Sequence, residues 1–145
     1  MTYFFRADLS HYAEAEYPLT EKINSAGELL DYYKRNREIY QFGQGYYGEE
    51  SMADVVFSDS SGFNDDFFET RFLLFVVLEE GSGSVRHRVE SVKPDGGFLS
   101  INITRIIPGI CTADMAQWHI AFDLDKALSD RDAVISLSEE RLPVE

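Results

Sequence analysis

Cys111, Asp114 and His119 are the closest approach in this chain to a nucleophile with a base and an orienting acid, all within nine residues. A thiol in such company could attack a carbonyl if the imidazole drew its proton away. Closeness along the chain is not triad geometry, however, and a loop or core cysteine is the expectation. Gly81-Ser-Gly-Ser84 is the other nucleophile candidate. It joins two strand-like runs, whereas the serine elbow of hydrolases turns from a strand into a helix, so it reads as a glycine-containing link.

The three histidines, His11, His87 and His119, have no metal-ligand spacing to one another or to a cysteine pair, so no metal site is expected. Asp59-Ser-Ser-Gly-Phe-Asn-Asp-Asp66 has the composition of a calcium loop but not its pattern, because Ser61 and Phe63 occupy places that need acids. Capping of a short helix by Asn64, Asp65 and Asp66 is the expectation there, with calcium binding the alternative. No glycine-rich stretch carries the lysine of a phosphate cradle or opens a helix as dinucleotide sites do, and no cofactor is expected. Among 26 acidic residues some carboxylates must lie close together, which keeps a hydrolase using Asp and Glu, or Cys111, as the alternative function.

Two groups of side chains suit binding. Tyr40, Phe42, Tyr46 and Tyr47 flank glycines that could present rings to a partner or pack over the core. Arg86 and Arg88 project from the face of their strand opposite Val85, His87 and Val89, and either pair with local carboxylates or form a positive patch. His119, on the strand face opposite Trp118, is expected to be the exposed histidine, and His87 a hydrogen-bonded core one. Arg86, Arg88, His119, Tyr46 and Tyr47 are therefore the candidate binding residues.

The elements that must hold these groups follow from periodicity. Phe72–Leu78 is an unbroken apolar run, as in a strand covered on both faces. Residues 84–92 and 98–107 alternate, with Lys93-Pro-Asp-Gly-Gly97 as the turn between them. Pairing Val92 with Phe98 puts Val89 opposite Ile101 and His87 opposite Ile103, so that the three runs form a meander. Residues 116–124 and 133–138 complete a mainly antiparallel sheet. Ser25 with Glu28 forms a capping box for a helix over about 26–40, whose aromatic face covers the sheet. Met52–Phe57 reads as a short strand, Phe63–Glu69 as one or two helical turns, and residues 1–24 as a surface arm with a short strand at Tyr3–Phe5. The fold class is α+β, mainly antiparallel or sandwich-like, with one domain over 25–145 and its β core at 72–138.

Composition bounds the function. The chain has 145 residues, 44% of them hydrophobic, enough for a full core, and its 11 Phe and 8 Tyr predict aromatic packing. A net charge of −13 repels phosphate backbones, which argues against nucleic acid. One cysteine permits no intrachain disulfide and leaves the redox compartment open. No run is long enough to span a bilayer, and Met1–Arg6 lacks the features of a signal peptide, so an exported form would have lost its signal from this chain.

Leu78–Val89, Ile101-Asn-Ile-Thr-Arg105 with Pro108, and Thr112–Ile120 together resemble a group of uncharacterised clostridial lipoprotein-type proteins over roughly residues 25–125. Over about 70–125 the order is also similar to the C-terminal domain of PrcB, a subunit of a protease complex. In that domain a glycine-containing turn enters a strand, a proline closes the next, and an aromatic-His-hydrophobic step opens the last. Ser82-Gly83-Ser84-Val85 stands where those domains carry Thr-Gly-Gly-Tyr. The resemblance implies a non-catalytic, β-rich, protein-binding or regulatory domain of the cell envelope.

Overall fold

The computed structural model describes residues 1–46 and 49–144 and has an α+β fold, with one main helix packed on β-sheet. The chain divides into two compact units: Met1–Glu79 with Ala116–Ser129, and Glu80–Met115 with Asp130–Glu145.

The first unit holds a four-stranded sheet. Its strands are β1 (Thr2–Arg6), β2 (Leu19–Ile23), β3 (Arg71–Glu80, whose last residue belongs to the second unit) and β6 (Ala116–Asp125), in the order β1-β6-β3-β2. β1 runs antiparallel to β6, with Phe5 opposite His119, and β2 antiparallel to β3, with Ile23 opposite Leu73. Both ends of the expected arm are thus sheet strands, and Phe5 and Ala7 are buried. Helix α1 (Ala26–Asn36) starts with a variant of the capping box: Ser25 Oγ accepts from the Glu28 N–H, while Glu28 reaches back to the Asn24 N–H, one residue before the cap, and to the Ser25 hydroxyl. It ends four residues early, where the Asn36 side chain donates to the Tyr32 carbonyl and competes with the helix ladder.

Leu29 and Tyr32 of α1 join Leu73, Phe75 and Val77 of β3 in an aromatic-rich core, and all of Phe72–Leu78 is buried, as the apolar run predicts. The expected strand at Met52–Phe57 is instead a π-helical turn over Ala53–Phe57. Met52 is already in the right-handed helical region and Ser51 Oγ accepts from the Asp54 N–H, so local hydrogen bonds outcompete extension. Asn64 caps α2 (Asp65–Thr70), which leads straight into β3. After β6, Asp125 caps a 3₁₀ turn at Lys126–Leu128.

The second unit is built on a three-stranded sheet of β4 (Arg86–Asp95), β5 (Phe98–Ile107) and β7 (Asp132–Arg141), in the order β4-β5-β7. The expected three-strand meander is therefore split: β3 belongs to one sheet and β4 and β5 to another. Gly81–Val85 is a crossing between sheets, not a hairpin link. The β4–β5 register also differs. Val89 pairs with Ile103 and His87 with Arg105, two residues from the expected alignment, because β4 continues through Pro94 to a two-residue turn at Gly96-Gly97. Gly96 sits at φ +60°, which favours glycine. A slip of two preserves the faces, so Leu99, Ile101 and Ile103 are still the buried set. Between Val89 and Ser91 a bulge takes up one extra residue, and Val92 meets Ile101 in place of Phe98. β7 lies at the edge of its sheet and runs parallel to β5.

Candidate functional site

His119 is fully buried, against the expectation that it is exposed. β6 lies inside its sheet, and α1 with the aromatic loop after it covers the face that carries the ring. Its Nε2 lies 2.7 Å from the Tyr32 hydroxyl, and Tyr40 and Phe42 set their rings edge-on to it at centroid distances of 4.9 and 5.4 Å. Burial without a countercharge pushes its pKa down to about 3, so the imidazole is neutral at ordinary pH. The same burial raises the Tyr32 and Tyr40 hydroxyls well above the usual phenol range. This is a core histidine in an aromatic enclosure, not a general base open to substrate.

Cys111 is exposed on the loop after β5, and its thiol donates to the Pro108 carbonyl at 3.3 Å. Asp114 accepts from the Gly83 N–H. Around it, Ser82 and Ser84 both bond Thr112 Oγ1, at 2.9 and 3.1 Å, which ties the Gly81–Val85 crossing to the 108–115 loop. Of the expected thiol trio, Cys111 is a loop cysteine, His119 is enclosed by aromatic rings, and Asp114 with the serines forms a loop clasp.

Arg88 is held by Glu90 at 2.5 Å and Glu140 at 3.1 Å. Hydrogen bonding to these partners raises its pKa further and lowers that of Glu90. Arg86 turns back to the Gly83 and Val85 carbonyls at 2.6 and 3.1 Å. Arg88 thus pairs with local carboxylates, whereas Arg86 is bonded to main-chain carbonyls. Tyr46 donates to Asp8 at 3.0 Å and lies under the Arg6 guanidinium, 4.4 Å from its ring centre, within a cluster in which Gln117 ties Asp8, Leu9 and Glu79 together. Tyr47 lies outside the described residues.

His87 is the hydrogen-bonded core histidine expected. Its partner was not foreseen: buried Glu80 Oε2 accepts at 2.6 Å from His87 Nε2 and at 3.0 Å from Arg105 Nε. The cross-strand pairing of His87 with Arg105 brings both side chains to one carboxylate.

Among the described residues no group of His, Cys, Asp and Glu is arranged to hold a metal ion, and no helix is long and apolar enough to cross a membrane. At 59–66, Asn64 is spent on capping α2 and the Ser61 hydroxyl accepts from the Phe63 N–H.

A recess lies in the second unit, where β5 and β7 end side by side. The Leu142 N–H continues the ladder to the Ile107 carbonyl at 2.9 Å. The backbone of Pro143 and Val144 then passes so close to Gly109 that a side chain there would meet it at 2.7 Å. Pro108, Gly109, Ile110, Leu142, Pro143 and Val144 line a shallow recess of about 470 Å³. Ile110, Leu142 and Val144 remain 76%, 45% and 68% exposed. Sequence reading missed this site; its only signal is two short proline-containing apolar stretches, 108–110 and 142–144, whose meeting depends on the parallel β5–β7 pairing. A smaller groove of about 280 Å³ in the first unit lies between Leu29 and Leu30 of α1 and the loop at Phe57–Asn64.

No family model, no curated protein and no solved structure matches this chain.

Proposed function

We propose that this chain is a non-catalytic, protein-binding or regulatory domain of the cell envelope. The observation that carries the reading is the recess of the second unit, where Ile110, Leu142 and Val144 hold large apolar side chains in water at the joined ends of two strands. Contiguous exposed apolar surface of this kind is characteristic of contact sites. By contrast, the groups that chemistry would recruit have internal partners: His119 with Tyr32, Glu80 with His87 and Arg105, and Asp114 with Gly83. The envelope setting and the regulatory character rest on the resemblance to clostridial lipoprotein-type proteins and to the PrcB C-terminal domain, whose span of about 70–125 includes Ile110.

The test is affinity capture from extract by the wild-type chain and by an Ile110→Asp/Val144→Asp variant, followed by titration of the captured partner. At these exposed positions the fold should persist, and affinity should drop by about tenfold or more, the cost of placing charge in an apolar contact. Equal affinity would remove the recess from the interface. Ester or peptide hydrolysis that co-purifies with the chain and vanishes in Cys111→Ser would replace the reading with a hydrolase.

A further inference from the structure

We infer that the open edge of β7 accepts an extended segment of a partner protein, uncharged at its centre and flanked by lysine or arginine, as a fourth strand of the second unit's sheet. This rests on the protein-binding reading and names the chemistry of the partner.

Edge strands expose unpaired backbone N–H and C=O groups, and proteins usually blunt them with short length, prolines, bulges or charge. The edges of this protein divide on that criterion. β1 and β2 have only five residues each. β4 is longer but carries the bulge at Val89/Ser91, Pro94 and the charged Arg86, Arg88 and Lys93. β7 has none of these devices along its middle. It keeps an unbroken register with β5 from Asp132 to Arg141, contains no proline, and is uncharged from Ala133 to Ser138. Val134 and Ile135 favour extension, Val134, Ser136 and Ser138 are exposed, and Ile135 and Leu137 are only partly covered. An added strand would satisfy the free side of the ladder and cover these side chains.

Charge selects the occupant. Asp130 and Asp132 precede the uncharged stretch and Glu139 and Glu140 follow it, against Arg131, Arg141 and the Arg88 of β4 that pairs with Glu140, so four acids face three bases. Arg131 is turned to the Gly96 carbonyl, and Arg141 pairs with Glu139. A second copy would bring acids near acids in a chain of net charge −13, whereas basic flanks would be steered in and held. Beyond Arg141 the strand leads into the Ile110/Leu142/Val144 recess, which can take an apolar side chain at the end of the incoming segment. Main-chain bonds would then supply affinity and the recess selectivity.

The probe is a short synthetic peptide of alternating valine and threonine with two lysines at each end, titrated against the full chain while amide exchange is followed. The expected result is binding that weakens with salt and slows exchange at Ala133–Ser138. A glutamate-flanked peptide and one N-methylated at alternate positions should bind at least about tenfold more weakly. Val134→Lys/Ser136→Lys, altered only on the exposed face, should reduce affinity for the lysine-flanked peptide similarly. Unchanged β7 exchange with saturating peptide, or equal binding of the N-methylated peptide, overturns strand addition. Equal binding of the glutamate-flanked peptide overturns the charge assignment. Concentration-dependent protection of β7 without peptide, together with a sedimenting dimer, makes a second copy the occupant and also overturns the proposal. If any of these results coincides with loss of partner capture in Ile110→Asp/Val144→Asp, protein binding stands and only the part of the edge proposal that the result overturns falls.

Discussion

His119 is the residue whose environment is most at odds with its chemistry, since a group that ordinarily titrates near neutrality lies fully buried among Tyr32, Tyr40 and Phe42. Its folded pKa of about 3 lies below the unfolded value of about 6.5, so the unfolded chain binds the extra proton between them. The stability this residue contributes is therefore complete above about pH 6.5 and falls by roughly 1.4 kcal/mol per pH unit as the pH drops towards 3. Chemical denaturation across that range should show the loss, and His119→Gln, which keeps an acceptor for Tyr32 but cannot titrate, should flatten it. A slope identical in the two proteins would mean that other groups dominate acid unfolding. Alternation placed His119 on the correct strand face; that the face is covered depends on α1 and on the loop carrying Tyr40 and Phe42, which sequence periodicity in β6 cannot report.

Elements whose signals are local were legible. The Ser25/Glu28 box starts α1, Asn64 starts α2, and Phe72–Leu78 is a fully buried strand, because caps and continuous apolar runs act over a few residues. Strand partnership was not legible. A link of a few residues after β3 permits either a hairpin or a passage to another sheet, and the clasp of Ser82, Ser84 and Thr112 that accompanies the passage joins segments about thirty positions apart. Gly109 gives a test at this scale. Its absent side chain leaves room for the Val144 backbone, and no rotamer change can relieve a contact with main chain. Gly109→Ala should displace residues 142–144, exposing the Leu142 amide to fast exchange while the amides of β3 and β6 keep their protection. Retained protection at Leu142 would show that the loop yields instead.

At the scale of the whole molecule the dominant feature is the charge of −13, spread over 26 acids and 13 bases. Self-repulsion of that size opposes compactness and is screened once the Debye length falls to about 10 Å at 0.1 M salt. The melting temperature should rise by a few degrees on going from very low to physiological NaCl, measured by scanning calorimetry. A fall would mean that favourable pairs such as Arg71–Asp123, at 2.6 Å, outweigh the net repulsion. The same field would favour the basic-flanked segment proposed for the β7 edge.

By itself the sequence determined the α+β class, the helix and its cap, the buried run of β3, the inward face of β4 and β5, and the internal role of His87. Each follows from hydrogen-bonding or hydrophobic preferences acting over neighbouring residues, and a face survives any slip of two. Only the tertiary structure decided that the seven strands of the described residues form two sheets, that β7 lies parallel to β5, that His119 is enclosed, and that Ile110, Leu142 and Val144 share one recess. Those outcomes depend on which distant segments meet. Pairing between extended strands is set by the sum of many weak, non-local contacts, and no single stretch of chain carries them.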